Sequence, residues 1–318
     1  MGALNDLKQK FGDRLKEHEP LARYTTFKIG GPADYFFEAK TTDELVAAVT
    51  LARTLSIPMF ILGGGSNILI GDRGIRGFVI KNSTGTIRIK GIKGTVTGGA
   101  AKKGLVFVEA DSGVIFNSLV RFTVEEGLVG LEMHLGLPGT VGGAIFMNSK
   151  WTHPPGYVGD AVCQAEILTP ENKRVTVPKA YFHFGYDTSS IQKTNDILLK
   201  VVFALRADSK ERLWRVANES IRYRRQTQPQ GVFTAGCAFK NISQAQALTS
   251  AGFLIDHAGL KGTRIGDAEI SSVHANFIIN RGAATAADVV QLMALVRTKV
   301  KEKFGVVLEE EIIRVGEF

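Results

Sequence analysis

Three consecutive glycines, Gly63, Gly64 and Gly65, are followed by Ser66 and Asn67 and lie between two short apolar runs at 60–62 and 68–70. Glycine removes the Cβ and admits positive φ, so successive N–H groups can converge on phosphate oxygens, with two short side chains as donors at the rim. A tight turn between two strands is the competing reading of the same residues. A dinucleotide fingerprint would need G-x-G-x-x-G opening a helix. Here Gly71, Asp72 and Gly74 break any helix, and the pattern predicts strand, loop, strand. A second stretch, 130–144, carries five glycines and runs on to Met147 and Asn148. It suggests backbone laid against a flat or phosphorylated ligand, or a purely structural packing. Cys237 taken alone is a small buried hydrophobe. His134, His153, His183, His257 and His274 are neither paired at i, i+4 nor near a second cysteine, so no metal site is expected.

The elements that would position these groups follow from periodicity and caps. Residues 1–20 predict a short amphipathic helix. A strand at 35–39, a helix capped by Thr41 and Glu44 with Leu45, Val49, Ala52 and Leu55 on its buried stripe, and the strand into the glycine loop make 20–80 a compact α/β unit. Residues 78–113 are strand-rich with glycine turns, and 112–126 return to helical spacing. Strands at 161–178 and 197–206 complete that region, and a linker at 207–209 opens a basic helix to Arg225. Beyond it come a helix capped by Ser243 and Gln246, strand segments at 266–270 and 277–280, and a helix capped by Thr285 and Asp288 that ends at Gly305. A final strand, 306–313, would carry Glu309, Glu310 and Glu311, with Glu309 and Glu311 on one side.

At 318 residues the chain has room for two or three domains, and 44% hydrophobic residues mark it as globular. It contains no apolar run of about 18 residues, and its first 20 residues lack the apolar middle of a signal peptide. Two cysteines rule out a disulfide framework and fit a reducing, cytoplasmic setting. The net charge of +8 comes from scattered Lys and Arg, which suits a small anionic ligand as well as it would nucleic acid. Neither nucleic acid nor membrane is an expected partner.

In order, the motifs YTTFKIGGPA, LGGGSNILIGDRGIRGFVI, GLEMHLGLPGTVGGAIFMN, AGCAFKN, SSVHANFIIN and FGVVLEEEI resemble the UDP-N-acetylenolpyruvoylglucosamine reductase family over residues 20–316. The resemblance implies an α+β protein with a two-part FAD-binding domain of the vanillyl-alcohol-oxidase type, at 1–80 and 81–207, and a C-terminal α/β substrate-binding domain at 208–318. The cofactor would be FAD, reduced by NADPH, and the substrate UDP-N-acetylglucosamine enolpyruvate, on the route to peptidoglycan. A monomer or weak dimer is expected.

By motif, Gly63, Gly64, Gly65, Ser66 and Asn67 would cradle the FAD pyrophosphate. Tyr24, Thr25, Thr26 and Phe27 would lie against the cofactor, as would Gly136, Pro138, Gly139, Thr140, Gly142, Gly143 and Asn148. Arg224, Lys240, Asn241 and Asn276 would hold substrate; taken singly, each is a solvated base or a turn asparagine. The family passes a hydride from flavin N5 to the enolpyruvyl methylene, and a serine then protonates the adjacent carbon; Cys237 stands at that serine's position. A free thiol, with a pKa near 8.5, is far more acidic than a hydroxyl. Glu311 matches the glutamate that polarises the substrate carboxylate, and beside that carboxylate it would need a raised pKa or a cationic neighbour.

The chain departs from the pattern at 184–189, where Asp187 replaces an arginine that the family places on the enolpyruvyl carboxylate. Arg224, Arg225 or Lys240 would have to take over, or the local alignment shifts. Residues 90–104 suggest an extended hairpin, and 150–155 an enlarged loop. An FAD oxidase or dehydrogenase sharing only the cofactor domains, and a catalytically retired nucleotide-binding protein, are the competing readings. AGCAFKN and HANFIIN argue against the first; Cys237 and Glu311 argue against the second.

Overall fold

Among the described residues, three sheets of four or more strands, several strand pairs and seven α-helices position the site. The computed structural model describes residues 2–93, 96–97, 100–101, 104–153, 155–244 and 247–318. Helix α1 (Gly2–Phe11) is shorter than the 1–20 segment expected: Gly12 takes a positive φ of 54°, and Lys16–Pro20 becomes an edge strand. That strand pairs antiparallel with Pro32–Ala39, which continues in parallel with Ile75–Asn82 and then Met59–Leu62. Helix α2 (Thr42–Thr54) covers this sheet with Leu45, Ala48, Val49 and Ala52 buried. Thr41 Oγ1 accepts from Glu44 N–H at 3.2 Å, but the Glu44 carboxylate accepts from Lys40 N–H rather than Thr41, so only half of the expected capping box forms.

The second sheet is antiparallel in the order Arg174–Pro178, Val162–Leu168, Ile197–Ala207, Leu105–Asp111, Ile87–Lys93. Helix α3 (Phe116–Glu125) lays Phe116, Leu119, Val120 and Val124 on it. Part of the hairpin expected at 90–104 lies outside the described residues. Helix α4 (Val141–Phe146) is not expected from sequence: Thr140 Oγ1 accepts from Gly143 N–H at 3.4 Å, and the glycine-rich stretch turns helical after it.

Helix α5 (Lys210–Thr227), capped by Ser209, turns Leu213, Ala217, Ser220 and Arg224 inward. The last third is built on a sheet ordered Phe233–Cys237, Phe277–Asn280, Ala268–Ile270, Arg264–Ile265, the first strand of which carries no clear sequence signal. Gln246 of the proposed cap lies outside the described residues; helix α6 (Ala251–His257) instead starts at Ser250, whose Oγ accepts from Phe253 N–H. Helix α7 (Ala286–Phe304) has the full Thr285–Asp288 box and ends at Gly305 with φ of 70°. After it, 306–312 is irregular rather than a strand; only Ile313–Val315 is extended, and it pairs in parallel with Ile68–Ile70 next to the glycine loop.

Candidate active site

The two glycine-rich stretches meet. A Cβ on Gly64 would stand 2.4 Å from Gly139 Cα, one on Gly63 2.7 Å from Thr140 Oγ1, and one on Gly65 2.3 Å from the Tyr24 carbonyl oxygen. Ser66 Oγ donates to the Pro138 carbonyl at 3.4 Å, and Thr26 N–H donates to the Gly65 carbonyl at 3.0 Å. Missing side chains thus serve first to bring three backbone segments together. Among the described residues, the N–H groups of Gly64, Gly65, Ser66 and Asn67 donate to no protein acceptor, which leaves a row of donors on one loop. The buried Lys81 ammonium donates to the Gly63 carbonyl and anchors the loop from beneath; burial holds its pKa below the ordinary value.

Not every expected contact is free to meet a ligand. Thr25 Oγ1 sits between the Ala22 and Ile29 carbonyls, each at 3.1 Å, and Thr26 Oγ1 donates to Thr234. The Phe27 ring is enclosed in the core of the last third, and Tyr24 stacks on Phe36 and donates to Glu19. Gly136 N–H donates to Asn117, and Gly142 N–H donates to the Ser112 carbonyl. Asn148, at a φ of 44°, spends its amide on the Gly185 carbonyl and Gly159 N–H. It staples the 185–188 turn and has little left for a cofactor.

Across from the cradle, Cys237 ends its strand at an irregularity in the pairing with Phe277, just after Gly236 at a φ of 84°. Asn276 clamps the next residues: its side-chain oxygen accepts from Phe239 N–H at 3.0 Å, and its amide donates to the Phe239 carbonyl at 2.7 Å. Glu311 N–H donates to the Ala238 carbonyl at 2.9 Å and Lys240 N–H donates to the Glu309 carbonyl, so 309–311 runs alongside 238–240 and brings Glu311 to Cys237. Asn67 Nδ2 donates to the Glu311 carbonyl at 3.2 Å and ties cradle to acid. Of the three acids, the exposed Glu309 lies near Lys240, Glu311 turns into the site, and Glu310 pairs with Arg297 and Arg314.

Burial, reinforced by Glu311 and Asp187, pushes the Cys237 thiol well above its ordinary pKa, against the opposing charge of Lys150. The ordinary free-thiol value assumed from sequence is therefore corrected upward, and Cys237 retains its proton. Burial first, then Asp187, raises Glu311 to about 7. Arg224 is buried over the Trp151 ring at 3.9 Å with Nε and Nη2 unpartnered among the described residues, and burial lowers it to about 10. A recess of about 360 Å³ opens beside this cluster, lined by Tyr186, Lys240, Asn241, Ile242, Val307 and Glu309.

A family model described as UDP-N-acetylenolpyruvoylglucosamine reductase, C-terminal domain, matches residues 228–315, and one described as FAD binding domain matches 33–177. A UDP-N-acetylenolpyruvoylglucosamine reductase of Desulfosudis oleivorans is 38% identical over 96% of both chains. One of Caldicellulosiruptor bescii is 39% identical over 96% of this chain and 91% of its own. The chain belongs to the UDP-N-acetylenolpyruvoylglucosamine reductase family. The crystal structure of the enzyme from Thermus caldophilus superposes on this reductase with a TM-score of 0.76 at 33% identity, covering 95% of this chain and 98% of that one.

The reductase is thus an FAD flavoprotein oxidoreductase of peptidoglycan synthesis, with an FAD-binding domain and the family's own C-terminal domain. The residues present fit the cofactor: a loop whose N–H donors at Gly64, Gly65, Ser66 and Asn67 are unpaired among the described residues suits a pyrophosphate. Among the described residues no group of three or more His, Cys, Asp or Glu could hold a metal, and no helix is long and apolar enough to cross a membrane.

Sequence reasoning missed Lys150 and Trp151. Both come from the hairpin Lys150–Thr152 and Pro155–Tyr157, which was read only as an enlarged loop. The one available signal was Asp187 itself, since a buried acid demands a cation. Of the three bases considered for that role, Arg225 is exposed and Lys240 pairs with the exposed Glu309.

Proposed function

We propose that the enzyme reduces UDP-N-acetylglucosamine enolpyruvate to UDP-N-acetylmuramate at the expense of NADPH, with Cys237 as proton donor and Glu311 beside the substrate carboxylate. The observation that carries this reading is the juxtaposition of a protonated, half-buried thiol and a carboxyl raised to about 7, on a segment tied by Asn67 to the glycine loop. The loop from Gly63 to Asn67 would hold the FAD pyrophosphate, with 24–27 and 136–143 packed behind it. FAD held there would, once reduced by NADPH, supply the hydride for the enolpyruvyl methylene carbon. As that C–H bond forms, the C=C electron pair moves onto the neighbouring carbon and into the carboxylate. Glu311, when protonated, donates a hydrogen bond to that developing charge; one such donor is worth about 3 kcal/mol. The Cys237 S–H bond then breaks toward the anionic carbon, which completes the addition of two hydrogens and leaves a thiolate to regain its proton from water.

Arg224, Lys240, Asn241 and Asn276 line the substrate side in this reading. Asn276 acts by fixing the backbone after Cys237, and Asn241 by holding the start of α6 through Ala251 N–H. Residues 1–80 and 81–207 form the two FAD-binding parts and 208–318 the substrate-binding domain, in a cytoplasmic enzyme whose two cysteines are unpaired.

Anaerobic stopped flow on the flavin absorbance tests the assignment. NADPH should bleach the flavin, and only UDP-N-acetylglucosamine enolpyruvate should restore the yellow form. A bleached flavin that this substrate fails to reoxidise overturns it.

A further inference from the structure

Asp187 is only 4% exposed, sits at a φ of 54°, and stands where the family resemblance calls for an arginine. A buried carboxylate is stable only with a cation or several donors. It finds Lys150, 37 residues earlier, with Nζ 2.9 Å from its Oδ2. The same Nζ lies 3.5 Å from the centroid of the Tyr186 ring. Lys150 is itself mostly buried, so its aim is restricted from several sides. An ammonium has three N–H donors, and the contact with Asp187 needs one.

The charges around Cys237 identify what the remaining donors can take. Lys150 and Arg224 carry positive charge, Asp187 pairs with Lys150, and Glu311 is neutral when it holds its proton. In that state the cluster holds one surplus positive charge, which suits one carboxylate. Lys150 is the cation whose field reaches both Cys237 and Glu311, whereas Arg224 feels Cys237 but lies over Trp151 beside Gly136. Lys240 stands at the rim with Glu309, and Arg225 faces solvent.

We propose that Lys150, oriented by Asp187, binds the enolpyruvyl carboxylate of the substrate beside Cys237 and Glu311. This rests on the reductase reading above. The basic residue has moved from the 187 turn to the 150–157 hairpin, and an acid at 187 now holds it in place. Lys150 is then a substrate-contacting residue and Asp187 a positioning residue.

The test compares two ligands on the oxidised FAD holoenzyme by calorimetric titration: UDP-N-acetylglucosamine enolpyruvate, and UDP-N-acetylglucosamine, which lacks the carboxylate. Wild type should prefer the first, and K150M should lose at least tenfold of that preference while K150R regains part of it. K150M also leaves Asp187 buried without a cation and should lower Tm. K150M/D187N removes both charges and should recover Tm without recovering the preference. A K150M that keeps the preference, a double variant that regains it together with stability, or a wild type that binds both ligands equally overturns the proposal. A wild type that binds neither ligand, and whose reduced flavin the enolpyruvyl substrate does not reoxidise, overturns the reductase reading instead.

Discussion

Cys237 and Glu311 show how one environment tunes two acids in the same direction for different purposes. In the proposed reaction the thiol has to keep its proton until a carbanion appears, and burial favours that form. Replacing it with alanine removes a positioned acid, and turnover should fall about 10²–10⁴-fold; C237S, which retains an O–H, should keep most of the rate in the same steady-state assay. Glu311 carries a linkage consequence. Its folded pKa, about 7, lies above the ordinary carboxylate value, so the folded state holds its proton more tightly than the unfolded chain does. Its contribution is therefore neutral below the ordinary range and becomes a penalty as pH rises from about 4.5 to 7. E311Q removes that penalty, and its Tm relative to wild type should climb across this window. A difference in Tm that is flat with pH would show that the carboxyl is not perturbed.

At the scale of elements, the glycine loops act as a joint. Gly64 and Gly139 touch backbone to backbone, so G64A must push the 63–67 loop off the 136–143 segment. Overpacking of this kind costs about 1–3 kcal/mol. The expected result is purified protein with a markedly lower flavin-to-protein absorbance ratio and weaker FAD affinity on titration. Full flavin content in G64A would mean that the loop tolerates the displacement. Sequence reading succeeded for elements with strong local signals: the Thr285–Asp288 box and Gly305 bounding α7, the Thr41 cap of α2, and the strand-loop-strand at 59–70. It missed α4, because Gly142 and Gly143 are poor helix formers, and the Thr140 cap, the Gly142 N–H bond to Ser112 and the burial of Val141, Ala144 and Ile145 hold the segment helical.

Across the whole molecule, the last third does not close its core alone. Phe27, Ile29 and Leu69, from the first part of the chain, are buried in one cluster with Ala235, Phe239, Ile278, Val289, Met293 and Ile312. The Ile313–Val315 strand returns to pair with Ile68–Ile70, and Asp72 accepts from the first N–H groups of α7 at 2.7 and 2.9 Å. Such interpenetration predicts one cooperative unfolding transition in calorimetry. FAD at about 100 times its Kd should stabilise that transition as a unit, by about 2.7 kcal/mol. Two transitions, only one of them responsive to FAD, would contradict it.

From its own residues the chain determined what local chemistry can encode: amphipathic helices with their caps, glycine loops free of Cβ, and six motifs in family order. These are short-range properties of neighbouring residues, and they carry the FAD-binding part, the reductase family and the candidate thiol and acid. Tertiary structure alone decided which distant segments touch. It joined the two glycine stretches into one backbone junction, buried Cys237 so that the thiol holds its proton, spent Asn148 on a turn, and set Lys150 against Asp187 across 37 residues. Desolvation and ion pairing depend on what surrounds a group in space, and no spacing along the chain records that.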